Sequence, residues 1–158
     1  MQLPDKVVKF FKKQNFVIVS TIDSDNRIHC SAKGVVGINK NGRVFIIDLY
    51  HNKTYNNLKN DPRVSITQAE ERSFTGYTLS GRAKIVLRND IRDNYIKEWD
   101  KAIAKRISDR LIKNMRSEKM PSASHEAQLP EEPKYLIEID VDNIIDLSPP
   151  YRGGEAEK

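Results

Sequence analysis

The spacing of apolar side chains along the chain alternates between steps of three to four and steps of two, and each switch marks a change of element. Over residues 4–14, Val7, Val8, Phe10 and Phe11 form one stripe and Lys6, Lys9, Lys12 and Lys13 the opposite side. That pattern predicts an amphipathic helix, with Pro4 in the first turn where its missing N–H costs nothing. Residues 16–23 are rich in β-branched side chains and predict a strand. Residues 23–26, Asp-Ser-Asp-Asn, predict a turn, and residues 27–36 a second strand antiparallel to the first. Asn41-Gly42 predicts a hairpin, because both residue types tolerate positive φ, and residues 43–49 follow as a third strand. Residues 54–60 read as a short helix with Thr54 as N-cap, stopped by Asp61-Pro62. Residues 63–69 and 74–87 are the fourth and fifth strands, with Gly81 marking a bulge or a close approach.

Asn89-Asp90 predicts the cap of a long helix reaching about residue 115, striped by Ile91, Tyr95, Trp99, Ala102, Ile103, Ile107 and Leu111. Residues 117–133 hold three prolines and many small polar residues and predict a loop. Residues 134–141 alternate again, a sixth strand. The chain reads as one domain, residues 1–148, with a flexible tail at 149–158. The fold class is mainly β (α+β): six antiparallel strands in hairpin order form a closed or partly closed, split β-barrel with flanking helices, and closure would remove exposed edges. So narrow a barrel cannot enclose a large ligand. Such a ligand would lie in a groove on the outer wall, and a second subunit is the simplest cover for it.

Composition narrows the function. A chain of 158 residues with 38% apolar and 31% charged side chains suits one water-soluble core. Its apolar runs, such as Val44-Phe45-Ile46-Ile47, fall far short of the ~18 residues a membrane span needs. The first residues lack a signal-peptide layout, and the single cysteine, Cys30, permits no internal disulfide, so a reducing cytoplasm is expected. The net charge is +5, and lysine and arginine concentrate at residues 97–119, where acids are interleaved, as on a solvated helix face. No row of aromatics accompanies it, so nucleic acid is not the expected partner. His29, His51, His125 and Cys30 do not stand at zinc-ligand spacing, and Cys30 reads as a small buried residue. Trp99 reads as core packing, while Tyr77 and Arg82 lie on a strand able to line a ligand groove. There is no nucleophile elbow, dinucleotide fingerprint or Walker loop.

The segment at residues 48–58, Asp-Leu-Tyr-His-Asn-Lys-Thr-Tyr-Asn-Asn-Leu, is the most informative. It joins a strand end to a helix start, where free N–H groups and the helix dipole favour an anion. Lys53 adds a full charge. Thr54 adds a hydroxyl that either caps the helix or donates to a phosphate. An ordinary cap beside a surface lysine would look the same.

In context, the chain resembles the FMN-binding split-barrel family, also called pyridoxamine 5'-phosphate oxidase-like. The likeness rests on FVIVSTIDSDNRIHCSAKGVVGI, NGRVFIID, KTYNNLKNDPRVSIT, YTLSGRAKIV and YLIEIDVDNI in this order, across residues 3–145. Asn57-Leu58 with Asp61-Pro62-Arg63-Val64, and Gly81-Arg82-Ala83, are its most specific parts. The resemblance implies FMN with its phosphate at Lys53-Thr54 and its ring along Ser31-Ala32-Lys33-Gly34, touching Ile47-Asp48. Lys33 would stabilise a reduced anionic ring, and Asn57 would reach phosphate or ribityl oxygen. It further implies a homodimer and a small-molecule redox substrate, with a nicotinamide as one possible donor. The chain departs from the oxidase members, which carry two basic residues at the phosphate where this one has Lys53-Thr54. Their substrate-clamping Arg and His are not found in the tail ending Pro149-Pro150-Tyr151-Arg152. A flavin-linked role other than pyridoxamine phosphate oxidation is therefore expected: an oxidoreductase, a non-catalytic flavin carrier, or a deazaflavin-dependent reductase. No catalytic acid or base stands out, and no metal site is expected.

Overall fold

A computed structural model describes residues 1–14, 16–117 and 133–149. Its order is α1 (Asp5–Lys12), β1 (Val17–Ile22), β2 (Ile28–Ile38), β3 (Arg43–Asp48), α2 (Lys53–Asn60), β4 (Arg63–Glu70), β5 (Thr75–Leu87), α3 (Asp93–Ser117) and β6 (Tyr135–Asp146). All six strands pair antiparallel in a closed barrel of order β1-β2-β3-β6-β5-β4. The mainly β barrel with flanking helices matches the architecture expected from the pattern.

The barrel interior is filled by Val17, Val19, Val44, Ile46, Ile66, Leu79, Ile137 and Ile139, each 0% exposed. Burying each contributes about 1.5–3 kcal/mol. Helix α1 adds Val7, Val8, Phe10 and Phe11 to this core, the stripe its sequence predicts. A second cluster lies on the outer face of β3 and β6, where Phe45, Ile47 and Leu136 are covered by Ile91 and by Tyr95, Ile96 and Trp99 of α3. Trp99 therefore packs, as expected. The side chains of Ile107 and Leu111, the 118–132 segment and the tail beyond Pro149 lie outside what the structure describes.

Several boundaries differ from expectation. Asn52, not Thr54, is the N-cap of α2, and its side chain accepts the Lys53 N–H at 2.9 Å. Asn89 and Asp90 belong to a short 3-10 turn, and α3 begins at Asp93. Strand β6 runs on to Asp146, because Asn143 pairs with Ser80 and Ile145 with Thr78. The polar pair Asp142-Asn143 hides that continuation from a local reading. Gly81 is a bulge and also a close approach: the register shifts at Ser80/Gly81, and a Cβ there would lie 2.0 Å from the Asp140 carbonyl oxygen. Gly42 closes the predicted hairpin at φ +86°. Cys30 is exposed rather than buried, because alternation turns it away from the core side of β2.

Candidate functional site

The site arises where β2 parts from β3. Residues 28–33 of β2 pair only with β1, and pairing with β3 begins at Gly34–Ile47. Helix α2, which begins after the short link of residues 49–52 that follows β3, lies beside β2 here. Its Thr54 hydroxyl lies 3.1 Å from the Ser31 hydroxyl. The result is a groove of about 430 Å³ lined by His29, Ser31, Lys33, Asp48, Tyr50, Asn52, Lys53 and Thr54.

The groove is not on the outer wall, as the barrel's width suggested. Lys33, Ser31 and His29 pair with Val17, Val19 and Thr21, so they share the face of β2 that is continuous with the core. The split between β2 and α2 opens that face to solvent. Ala32 lies on the opposite, exposed face, Gly34 sits where β3 begins to pair, and Ile47 is buried under α3. Asn57 is buried and donates to the Thr21 hydroxyl at 3.0 Å, which ties α2 to β1. Thus Ser31, Lys33, Asp48, Lys53 and Thr54 converge in the groove through side chains. Of the strand residues considered for lining it, Tyr77 is buried against Phe10, their rings 5.2 Å apart, and Arg82 lies in a separate groove with Arg43 and Lys84.

Three features were not anticipated. Lys33 does not stand alone, because its ammonium pairs with Asp48 Oδ2, the two side chains being 11% and 7% exposed. The same oxygen accepts the hydroxyl of Tyr135, which is 0% exposed. The Tyr135 ring is packed against His51 and Tyr55 at centroid distances of 5.6 and 5.0 Å. Tyr135 opens β6, and its partnership with Asp48 depends on β3 and β6 being neighbours, so nothing local to it signals the contact. Burial first, and then its bond to the Asp48 carboxylate, push the Tyr135 hydroxyl well above its ordinary value of 10.0. The sign follows from linkage. Above about pH 10 the unfolded chain loses this proton while the folded chain keeps it, so stability present below that pH declines as pH rises further. Denaturation midpoints measured on wild type and Tyr135→Phe should show a steeper alkaline decline in wild type.

At the other end of the groove, Asn52 Oδ1 takes the Lys53 N–H, and α2 begins with Lys53 and Thr54 as its first residues. A lysine, two hydroxyls and the start of a helix together form a donor set suited to a phosphate. The volume is within the range of small-ligand clefts. Among the described residues no group of three or more His, Cys, Asp or Glu could hold a metal ion, and no helix is long and apolar enough to cross a membrane.

The family model for pyridoxamine 5'-phosphate oxidase matches residues 3–143. The chain belongs to the pyridoxamine 5'-phosphate oxidase family. No curated protein matches it. Solved structures share the fold of this family member. HupZ of Group A Streptococcus is 15% identical at a TM-score of 0.61, over 92% of this chain and 95% of that one. An F420 reductase is 12% identical at 0.60, over 90% and 98%. General Stress Protein 26 of Bacillus anthracis str. Sterne is 17% identical at 0.55, over 90% and 91%. At these identities the likeness carries the fold alone.

Proposed function

We propose that this chain binds FMN in the groove between β2 and α2 and acts as a cytoplasmic homodimeric oxidoreductase on a small-molecule substrate, with a nicotinamide as a candidate electron donor. One observation carries the reading: Ser31, Lys33, Lys53 and Thr54 face a single groove at the start of α2. Lys53 and the Thr54 and Ser31 hydroxyls would hold the phosphate. The backbone of Ser31, Ala32, Lys33 and Gly34 offers N–H and C=O groups to the polar edge of the ring. Lys33 and Asp48 supply charge beside it, and Ile47 and Asn57 buttress the groove from behind. FMN, when bound, supplies the hydride chemistry, and the protein contributes position and electrostatics. With Thr54 in place of a second basic residue, pyridoxamine phosphate is not the expected substrate.

The homodimer is supported by a neutral face on the barrel. The exposed sides of β2, β1, β4, β5 and β6 present two cross-strand rows, Ala32-Ile18-Thr67-Thr78-Ile145 and Cys30-Ser20-Ser65-Ser80-Asn143. Neither row contains a charge, in a chain where 31% of residues are charged. Such depletion of charge suits the centre of an interface. A two-fold contact would repeat any change on both sides, so Thr67→Arg should raise the dimer dissociation constant by ~100-fold or more through buried like charges. Sedimentation equilibrium checks this, and a monomeric wild type at micromolar concentration contradicts it.

The direct test of cofactor identity is the visible absorption spectrum of the protein as purified, with mass identification of what is released on denaturation. FMN supports the proposal. A deazaflavin supports the second reading, which the shared fold with an F420 reductase brings into view. Reversible reduction without turnover on any nicotinamide donor and dye acceptor would instead mark an electron carrier.

A further inference from the structure

We propose that Asp48 and Tyr135 are positioning residues that set how much of the Lys33 charge reaches a flavin ring in the groove. The inference rests on the FMN reading above and goes beyond it, because it assigns control of the site's charge to two residues acting through a third.

Lys33 and Asp48 both line the groove, and both are nearly buried. A pair so placed cannot readily exchange its partner for bulk water. Tyr135 lies behind them and donates to the oxygen that Lys33 uses. Its ring is held by His51 and Tyr55, whose own rings stack at 4.4 Å. The carboxylate is therefore shared. Its negative charge offsets the ammonium, and the phenol moderates that offset. Seen from the groove, the net charge is a balance of three groups rather than the full charge of one lysine.

This balance acts on reduction. FMN that takes up two electrons and one proton carries an additional negative charge on its ring. A neighbouring cation favours that form and a neighbouring carboxylate opposes it. Asp48→Asn removes the negative charge but keeps an acceptor of the same shape, so Lys33 is no longer offset and the reduced form gains. Tyr135→Phe removes the moderating hydroxyl, so more of the carboxylate charge is felt and the reduced form loses. The two variants should move the reduction potential in opposite directions. A merely structural loosening would move both the same way, towards free FMN.

The experiment measures the potential of FMN bound to the full chain, reduced with dithionite against a reference dye, in wild type, Asp48→Asn and Tyr135→Phe. FMN dissociation constants are measured in parallel. The expected result is a rise for Asp48→Asn corresponding to about tenfold in the equilibrium, or about 30 mV for two electrons, and a smaller fall for Tyr135→Phe. Equal potentials, or shifts of one sign, overturn the inference while leaving FMN binding intact. Should Asp48→Asn fail to fold, Tyr135→Phe decides together with its FMN dissociation constant: a fall in potential with FMN affinity unchanged supports the inference, and any other result overturns it. If wild type binds no FMN, the functional reading itself fails and this inference falls with it.

Discussion

Asp48→Ala lowers the free energy of unfolding by about 3–5 kcal/mol, the range for breaking a buried ion pair by deleting one partner. Asp48 is 6% exposed, and one of its carboxylate oxygens accepts from both the Lys33 ammonium and the Tyr135 hydroxyl while the other accepts from the Tyr50 N–H at 3.4 Å. Its truncation strands the Lys33 ammonium, whose side chain is 11% exposed, and leaves the Tyr135 hydroxyl unsatisfied in the core. An unpaired buried hydroxyl alone costs about 1–3 kcal/mol. Lys33 keeps a little access to water, which places the expected loss towards the lower end of the range. Surface pairs give the contrast. Lys40 and Asp5 are 62% and 61% exposed, and breaking that pair should leave stability nearly unchanged. Urea denaturation of Asp48→Ala and Asp5→Ala, compared with wild type at equal m-value, separates the two cases. Equal small losses would mean that the groove's ion pair is solvated.

The double variant Lys53→Ala, Thr54→Val weakens FMN binding by about 100- to 10,000-fold and leaves riboflavin binding nearly as it was. A hydrogen bond to a charged group contributes about 1.5–3 kcal/mol, and two such contacts to a phosphate set that range at 1.4 kcal/mol per tenfold. Valine is chosen for Thr54 because the residue is 3% exposed, so the site needs its volume as well as its hydroxyl. Riboflavin, which lacks the phosphate, serves as the internal control. Fluorescence quenching titrations of both ligands read the difference, and parallel losses for both would mean that the variant disturbs the ring site and not a phosphate seat.

The barrel was legible because its signals are local. The period-two strands, the Asn41-Gly42 hairpin and the Gly81 bulge are each written in a few adjacent residues. The start of α2 was legible for the same reason, although the cap itself fell on Asn52. What stayed hidden depends on partners far away in sequence. Tyr135 meets Asp48 across 87 positions, and the facing of Ser31 and Lys33 is set by which side of β1 is core. Alternation gives two faces but not which one a split in the barrel will open. The charge of Lys33 could be read from sequence, but the carboxylate that offsets it could not. Likewise Cys30 is small and apolar enough for a core, and only the pairing of Ser20 with Cys30 on the outer side shows that it lies outside.

The central claim is that the start of α2 holds a flavin phosphate, and the affinities of stripped wild-type protein for FMN and riboflavin test it most directly. The account predicts that FMN binds at least ~100-fold more tightly, the value of roughly two charge-assisted contacts. Equal affinities for the two ligands, or binding of neither, would contradict it.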